Sequence, residues 1–203
     1  MKSFIIGIAG GSCSGKTTFT KKLKEVFGNE IAVISQDNYY KECGDVVVEE
    51  RLKINHDHPG AFETELLIEH LNMLECGQTV ESPVYDYITH NRSDRTIEIE
   101  PSKIIIVEGI LVLYDEALRN LFDIKIFIDE DADVRILRRI LRDTKERGDN
   151  MESIIENYLK TVTPMYRQYT EPTKIFADIV LNNSGSDAAF DIVKNEIEKL
   201  ISN

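Results

Sequence analysis

Gly10-Gly11-Ser12-Cys13-Ser14-Gly15-Lys16-Thr17 is the stretch that decides how this chain folds. It fits G-x-x-x-x-G-K-[ST], the phosphate-binding P-loop. Its flanks fit as well. Phe4-Ile5-Ile6-Gly7-Ile8-Ala9 precedes it as an apolar run of strand length. Thr18 to Phe27 follows, with Phe19, Leu23, Val26 and Phe27 on one helical stripe. Glycines let the backbone curl so that its N–H groups converge on phosphate oxygens. The helix start adds partial positive charge at the same spot. In such a loop the lysine, here Lys16, reaches the β- and γ-phosphates, and the Thr17 hydroxyl ligates Mg²⁺. Gly10 through Thr18 is therefore the expected nucleotide-binding segment, and a nucleoside triphosphate is its expected ligand.

Working outward, continuous apolar runs recur at Ile31–Ser35, Lys103–Val107, Ile124–Ile128 and Ala177–Leu181. Amphipathic helical patterns separate them: Phe62–Cys76 (closed by Gly77), Asp133–Arg147, Met151–Tyr169 (with a kink or break expected at Pro164) and Asp187–Ile201. Residues 41–60 read as loop. Residues 80–100 alternate with period two, and Val84–Ile88 with Arg95–Ile99 reads as a hairpin. Apolar strands alternating with helices mean a parallel sheet covered on both faces. Ligands bind such sheets beyond the carboxyl ends of the strands. That makes the P-loop, Asp37, Glu108 and Asp129 the candidates.

Net charge is −12 over 203 residues. That argues against binding nucleic acid or an anionic membrane. The three cysteines, Cys13, Cys43 and Cys76, follow no metal or redox spacing and read as free thiols in a reducing compartment. No apolar stretch reaches transmembrane length, so the chain is expected in the cytoplasm, as one domain spanning 1–203.

Against that acidic background one basic feature stands out. Arg135, Arg138, Arg139 and Arg142 are spaced i, i+3, i+4, i+7, and Arg147 follows. At 100° per residue the four share one helical stripe. Val134, Leu137, Ile140 and Leu141 flank it and are expected to bury. Concentrated guanidinium groups suit a polyphosphate, and a mobile lid over the phosphates is the functional reading. Glu108 ends an apolar strand, where P-loop proteins hold Mg²⁺ with an acid. Asp37 follows another strand, where a carboxylate can take a proton from an attacking hydroxyl or help order Mg²⁺. His56, His58 and His70 suggest no metal site.

These segments together resemble the uridine kinase (uridine–cytidine kinase) family of P-loop kinases over roughly residues 4–200. The resemblance rests on the P-loop, Gln36-Asp37-Asn38-Tyr39-Tyr40, Asn55-His56-Asp57-His58-Pro59 and Val84-Tyr85-Asp86-Tyr87 with His90 and Arg92. Further on it rests on Val107-Glu108-Gly109-Ile110-Leu111, the run Asp131 to Asp143, Glu146-Arg147-Gly148, and Glu171-Pro172-Thr173-Lys174 with Ala177-Asp178. It implies a three-layer α/β P-loop NTPase fold with a five-stranded parallel sheet, a β-hairpin flap at about 80–100 and an arginine-rich helical lid at about 133–150. It implies Asp37 as the base for a nucleoside 5′-hydroxyl, with Lys16, Arg142 and Arg147 as the catalytic cations. Asp57 and Arg139 become ribose ligands, and Tyr85 and His90 pyrimidine contacts, with Tyr40, Tyr87 and Asn157 lining the pocket. Thr17, Glu108 and Asp37 form the metal set. Four departures from the family pattern are Asp149 in place of an arginine, Asn157 in place of a glutamine, Asn182-Asn183-Ser184 in place of P-R-G, and His56 in place of an aromatic residue.

The expected activity is transfer of the γ-phosphoryl of ATP or GTP, with Mg²⁺, to the 5′-hydroxyl of uridine or cytidine. The expected partner is a small-molecule nucleoside, and the family suggests a homotetramer. Two other readings stay open at this point. One is another P-loop small-molecule kinase, such as a phosphoribulokinase-like enzyme. The other is a nucleotide-binding regulatory protein without turnover.

Overall fold

β1 (Phe4–Gly10) runs up the middle of a five-stranded parallel sheet and ends in the P-loop, and α1 (Lys16–Phe27) leaves that loop directly. This computed structural model describes residues 3–182 and 186–202. The chain continues through β2 (Ile31–Ser35), a short α2 (Val48–Arg51), α3 (Thr64–Glu75), β3 (Val80–Asp86), β4 (Asn91–Ile99), β5 (Ile104–Gly109) and α4 (Glu116–Arg119). Then come β6 (Ile124–Asp129), α5 (Ala132–Arg142), α6 (Met151–Asn157), α7 (Thr163–Met165), β7 (Ile179–Asn182) and α8 (Asp187–Ser202). The sheet order is β2-β5-β1-β6-β7, and β3-β4 form a separate antiparallel hairpin.

Strand alternation divides the core into two layers. On β5, Ile105 and Val107 pack with Leu67, Leu71 and Leu74 of α3 and with Leu118 of α4. Ile104 and Ile106, pointing the other way, pack with Phe19 and Leu23 of α1 and with Val193 and Ile197 of α8. Burying each of these side chains stabilises the fold by about 2 kcal/mol. A third, smaller cluster of Tyr40, Phe62, Tyr85, Ile110 and Leu111 lies outside the sheet, and it becomes a wall of the candidate site.

The elements depart from the sequence pattern in four places. The 41–60 segment holds one helical turn, α2, rather than loop alone. The hairpin starts at Val80 and turns at residues 87–90, so Tyr87 and Ile88 lie in the turn rather than in a strand. Asp86 shapes that turn by accepting from the Ile88 N–H and the Thr89 hydroxyl, both at 2.9 Å. The Asp133–Arg147 helix ends its α-helical part at Arg142, and residues 143–147 form a π turn. The 151–169 helix continues through Pro164, with π turns at 158–162 and 166–170 on either side of α7. Pro164 has no N–H to give the preceding turn, and the helix passes it without a break.

The expectation that Leu137 and Leu141 bury is wrong. They are 62% and 59% exposed, while Arg135 and Asp143 of the same segment are 4% and 2% exposed. The segment turns its charged face inward because that face meets the P-loop, not the apolar core.

Candidate active site

Glycine is required at two points of the P-loop. Gly15 has φ +101°, and Gly10 has φ +150° with the Ile128 carbonyl oxygen 2.4 Å from where a Cβ would sit. The loop curls back on itself: the Lys16 ammonium donates to the carbonyls of Gly10 and Gly11, each at 3.0 Å. Burial lowers the Lys16 proton affinity, and the Glu108 and Asp37 carboxylates oppose that. Gly10, Gly11 and Ser14 build the loop rather than line the cavity beside it. The Ser14 N–H donates to the Gly11 carbonyl at 3.1 Å, and its hydroxyl is buried.

That cavity has a volume of about 830 Å³, and Ser12, Cys13, Gly15, Lys16, Thr17, Thr18 and Glu108 are among the residues that line it. The Thr17 hydroxyl donates to Glu108 Oε1 at 3.0 Å, and the Ser35 hydroxyl reaches the same oxygen at 3.4 Å. Burial pushes the Glu108 carboxyl above the usual carboxylate range, against the pull of Lys16. Asp129, the other strand-end acid, does not join the site. Lys174 pairs with it at 2.6 Å, and Asp129 lines a separate cavity with Arg135 and Tyr166.

A second cavity of about 260 Å³ adjoins the first, and Asp37, Tyr87, Arg142 and Arg147 line both. The second is walled by Tyr40, Asp57, Tyr85, His90, Arg139 and Asn157. All seven residues expected to contact the substrate are therefore brought together around it. Burial raises the Asp57 carboxyl, and Arg139 opposes the shift. Tyr87 donates its hydroxyl to Asp37 Oδ2 at 2.7 Å. Burial, followed by Asp37, holds that phenol well above its ordinary value, so it keeps its proton. The hairpin carrying Tyr85, Tyr87 and His90 is tied down: Asn38 accepts from the Tyr85 N–H at 3.2 Å, Asn91 accepts from the Cys43 N–H at 2.8 Å, and Arg92 pairs with Glu63 at 2.6 Å.

The arginine stripe fans out rather than facing one anion. Arg135 turns away, its guanidinium 4.0 Å from the centre of the Tyr166 ring and packed under Gly11. Arg138 lines the larger cavity, Arg139 the smaller, and Arg142 and Arg147 both. The stripe is also paired. Buried Asp143 meets Arg142 at 2.7 Å, Arg139 at 3.3 Å and Arg147 at 3.4 Å, and Glu130 meets Arg138 at 2.9 Å. The Arg147 guanidinium also stacks 4.0 Å from the centre of the Tyr87 ring. Sequence reasoning left Asp143 without a role. Its place four residues after Arg139 and four before Arg147 is the signal that could have found it. His56 entered the sequence reading as a departure from the family pattern, with no contact assigned to it. His56 lines the second cavity and bonds Tyr85.

Asp149 and Asn157, two of the departures, both face the second cavity. Burial lowers the proton affinity of His90, and Asp149 is the carboxylate that opposes this most. Of Asn182-Asn183-Ser184, only Asn182 is described, at the end of β7; Asn183 and Ser184 lie outside the described residues. No helix among the described residues is long and apolar enough to cross a membrane.

A parallel sheet with a P-loop at its central strand and two abutting cavities beyond the strand ends defines a P-loop kinase fold. Residues 5–189 match the Phosphoribulokinase / Uridine kinase family, and the chain belongs to that family. It is similar to the uridine kinase of Macrococcus caseolyticus (strain JCSC5402), 54% identical over 202 residues and 98% of both chains. It is also similar to the uridine kinase of Anoxybacillus flavithermus (strain DSM 21510 / WK1), 51% identical over 98% of this chain and 96% of that one. Among solved structures, phosphoribulokinase from Rhodobacter spheroides superposes with a TM-score of 0.63 at 19% identity, over 93% of this chain and 74% of that one. A putative fructose transport system kinase from Silicibacter sp. TM1040 superposes with a TM-score of 0.69 at 18% identity, over 89% and 90%. At those identities the two structures share the fold.

Proposed function

We propose that this protein is a pyrimidine ribonucleoside kinase that transfers the γ-phosphoryl group of ATP or GTP to the 5′-hydroxyl of uridine or cytidine. The observation that carries this reading is the place of Asp37, on the border of the donor cavity and the acceptor cavity. A hydroxyl in the smaller cavity would approach the transferred group past this carboxylate. Asp37 orients the hydroxyl and takes its proton.

The acceptor cavity fits a neutral nucleoside. Aromatic rings supply flat apolar walls, and Asp57 beside Arg139 supplies an acceptor and a donor for vicinal hydroxyls. A substrate lacking one of those hydroxyls would leave a buried partner unsatisfied. A sugar phosphate is a poorer fit, because Asp37, Asp57, Asp143 and Asp149 oppose the three arginines of this cavity.

On the donor side, P-loop N–H groups, Lys16, Arg142 and Arg147 stabilise charge on the phosphates. Lys16 leaves the Gly10 and Gly11 carbonyls to do so. The oxygen pair of Thr17 and Glu108, both facing the larger cavity, suits a hard cation such as Mg²⁺. That ion, when bound, neutralises charge on the phosphate oxygens. The reading extends to a cytoplasmic enzyme of pyrimidine salvage that works as a homo-oligomer, a homotetramer by family resemblance, built on one domain over 1–203.

The test is ADP release with Mg·ATP and Mg·GTP against uridine, cytidine, thymidine, adenosine and ribulose 5-phosphate. Turnover confined to uridine and cytidine is expected. Turnover on ribulose 5-phosphate alone, or triphosphate binding without turnover on any acceptor, overturns the reading.

A further inference from the structure

The pairing of β2 with β5 ends at Ser35 and Glu108. Beyond that pair the two chains part. Glu108 stays at the end of β5, while Asp37 rides on a 3₁₀ turn, Gln36–Tyr39. The spacing of the two carboxylates is thus set where strand pairing no longer sets it. Gln36 bridges the gap. Its side chain is buried, and its Oε1 accepts from the Leu111 N–H at 2.9 Å. A backbone N–H can only donate, so the amide atom that meets it is the oxygen. The same side chain lies against Gly109, where a Cβ would stand 2.4 Å from both Cβ and Oε1 of Gln36. Gly109 is not among the glycines with positive φ. Its lack of a side chain serves the approach of Gln36, not a left-handed backbone.

We propose that Gln36 is a positioning residue for phosphoryl transfer: by locking the Asp37 turn to the exit of β5, it holds Asp37 in register with Glu108. This deepens the function proposed above and rests on it. Gln36 is not among the residues lining either cavity, so it acts through its neighbours. Those neighbours are well placed. Ile110, between Gly109 and Leu111, lines both cavities. Leu111 packs with Tyr40 and Tyr85 in the wall of the smaller one. The Asp37 carboxylate itself is bonded to Tyr87 of the hairpin, so without Gln36 it would follow the hairpin rather than the sheet. Removing the Gln36 oxygen leaves each ligand its own partners: the triphosphate keeps the P-loop, and the nucleoside keeps Asp57 and Arg139. Their alignment is what is lost, and a misplacement of about 1 Å between reacting groups can slow a reaction about 100-fold. The loss should therefore fall on kcat and not on either Kd.

The experiment compares the parent with Gln36→Met, Gln36→Glu, Gly109→Ala and the Gln36→Met/Gly109→Ala double variant. It reads kcat on uridine beside calorimetric Kd values for uridine and for a non-hydrolysable ATP analogue with Mg²⁺. Methionine fills the space over Gly109 without an oxygen. Its kcat is expected to fall about tenfold or more, with both Kd values within about twofold of the parent. Glutamate still offers the Leu111 N–H an oxygen, and its kcat is expected to stay within about threefold of the parent. Gly109→Ala pushes the Gln36 side chain off its place and should repeat the methionine pattern. In the double variant the two losses should not multiply, because both break one contact. A packing role alone would weaken both ligands along with turnover, and glutamate would then do no better than methionine. An unmoved kcat in Gln36→Met, Kd values that rise with the loss, a glutamate variant as impaired as methionine, or losses that multiply overturns the proposal. If Gly109→Ala does not fold, the two Gln36 variants decide alone. A parent that phosphorylates a different acceptor fails the functional reading, and the same comparison is then read on that acceptor. A parent without turnover on any acceptor overturns both.

Discussion

Two helices flank the P-loop, and they are built in opposite senses. α1 faces the sheet with Phe19 and Leu23 buried, and sends Lys21, Lys22 and Glu25 to solvent. α5 and the π turn after it bury Arg135 and Asp143 and send Leu137 and Leu141 to solvent. Both have amphipathic sequences. What differs is the surface each one meets. α1 covers strand side chains that are all hydrocarbon, so transfer out of water decides its orientation. α5 covers a loop of carbonyls and N–H groups and the mouths of two cavities. There an apolar face would strand polar groups without partners, while guanidinium forks satisfy them. Periodicity thus reveals which residues share a face. Only the neighbouring surface decides which face turns inward.

The largest effect expected from this contrast is on stability at α1. Phe19→Ala removes a fully buried ring between β-sheet and α8, where it also packs edge-to-face on Phe190 at 5.8 Å. A loss of about 3–5 kcal/mol is expected in urea or thermal unfolding. If the loss is under about 1 kcal/mol, α1 is not held by its apolar face and the comparison breaks.

Next comes the charged interior of the other segment. Asp143→Ala leaves Arg139, Arg142 and Arg147 without their shared carboxylate. A loss of about 2 kcal/mol is expected, below the full value for a buried pair because the guanidinium groups keep some solvent. Activity should fall further than stability accounts for, since the three arginines lose their common anchor. A variant as active and stable as the parent would show that Asp143 is a bystander to the fan.

A smaller effect, of opposite sign, is expected at Glu108. Burial raises this carboxyl, so the folded protein holds its proton more tightly than the unfolded chain does. Its stability contribution is then complete at pH below the ordinary glutamate range and is lost as pH rises through the folded value. Glu108→Gln should therefore melt higher than the parent at pH 8 without Mg²⁺ or nucleotide, and match it near pH 4. Turnover should fall, because the carboxylate facing Thr17 is gone. Equal melting at both pH values would show that Thr17, Ser35 and Lys16 already offset the burial.

The fold was legible because the sheet obeys the rule α1 follows. The strands Ile31–Ser35, Lys103–Val107 and Ile124–Ile128 are short apolar runs next to strong punctuation, and each forms within two residues of its expected ends. The P-loop was legible because few sequences satisfy its spacing by accident. The residues of the acceptor cavity were a different case. Nothing in the spacing of Asp57, Tyr85, His90 and Arg139 shows that a hairpin bulge between Pro83 and Tyr85 and a helix forty residues later bring them to one place. Family resemblance supplied that grouping. The contact of His56 with Tyr85 escaped because it joins residues 29 apart in the chain, which no periodicity encodes; Asp143 was passed over although its i,i+4 spacing to Arg139 and Arg147 marks it. The exposed leucines of α5 were misjudged for the reason the two helices illustrate: an apolar stripe was assumed to find a core.

The smallest effect tests that assumption at its weakest point. Leu137→Gln and Leu141→Gln change residues that a reading of the helix by periodicity alone would place in the core. There, replacing leucine with an unpartnered amide would cost several kcal/mol. In this structure both side chains are more than half exposed, so each variant should stay within about 0.5 kcal/mol of the parent. Activity should be unaffected, because neither residue lines a cavity. Unfolding of the dilute protein is the measurement. If either variant loses as much as Phe19→Ala, the helix buries its leucines in solution, and the inward-facing arginines are not its resting arrangement. If the loss appears only at high protein concentration, the exposed leucines pack against a second copy of the chain. The two helices would then follow the same hydrophobic rule, one within a subunit and the other between subunits.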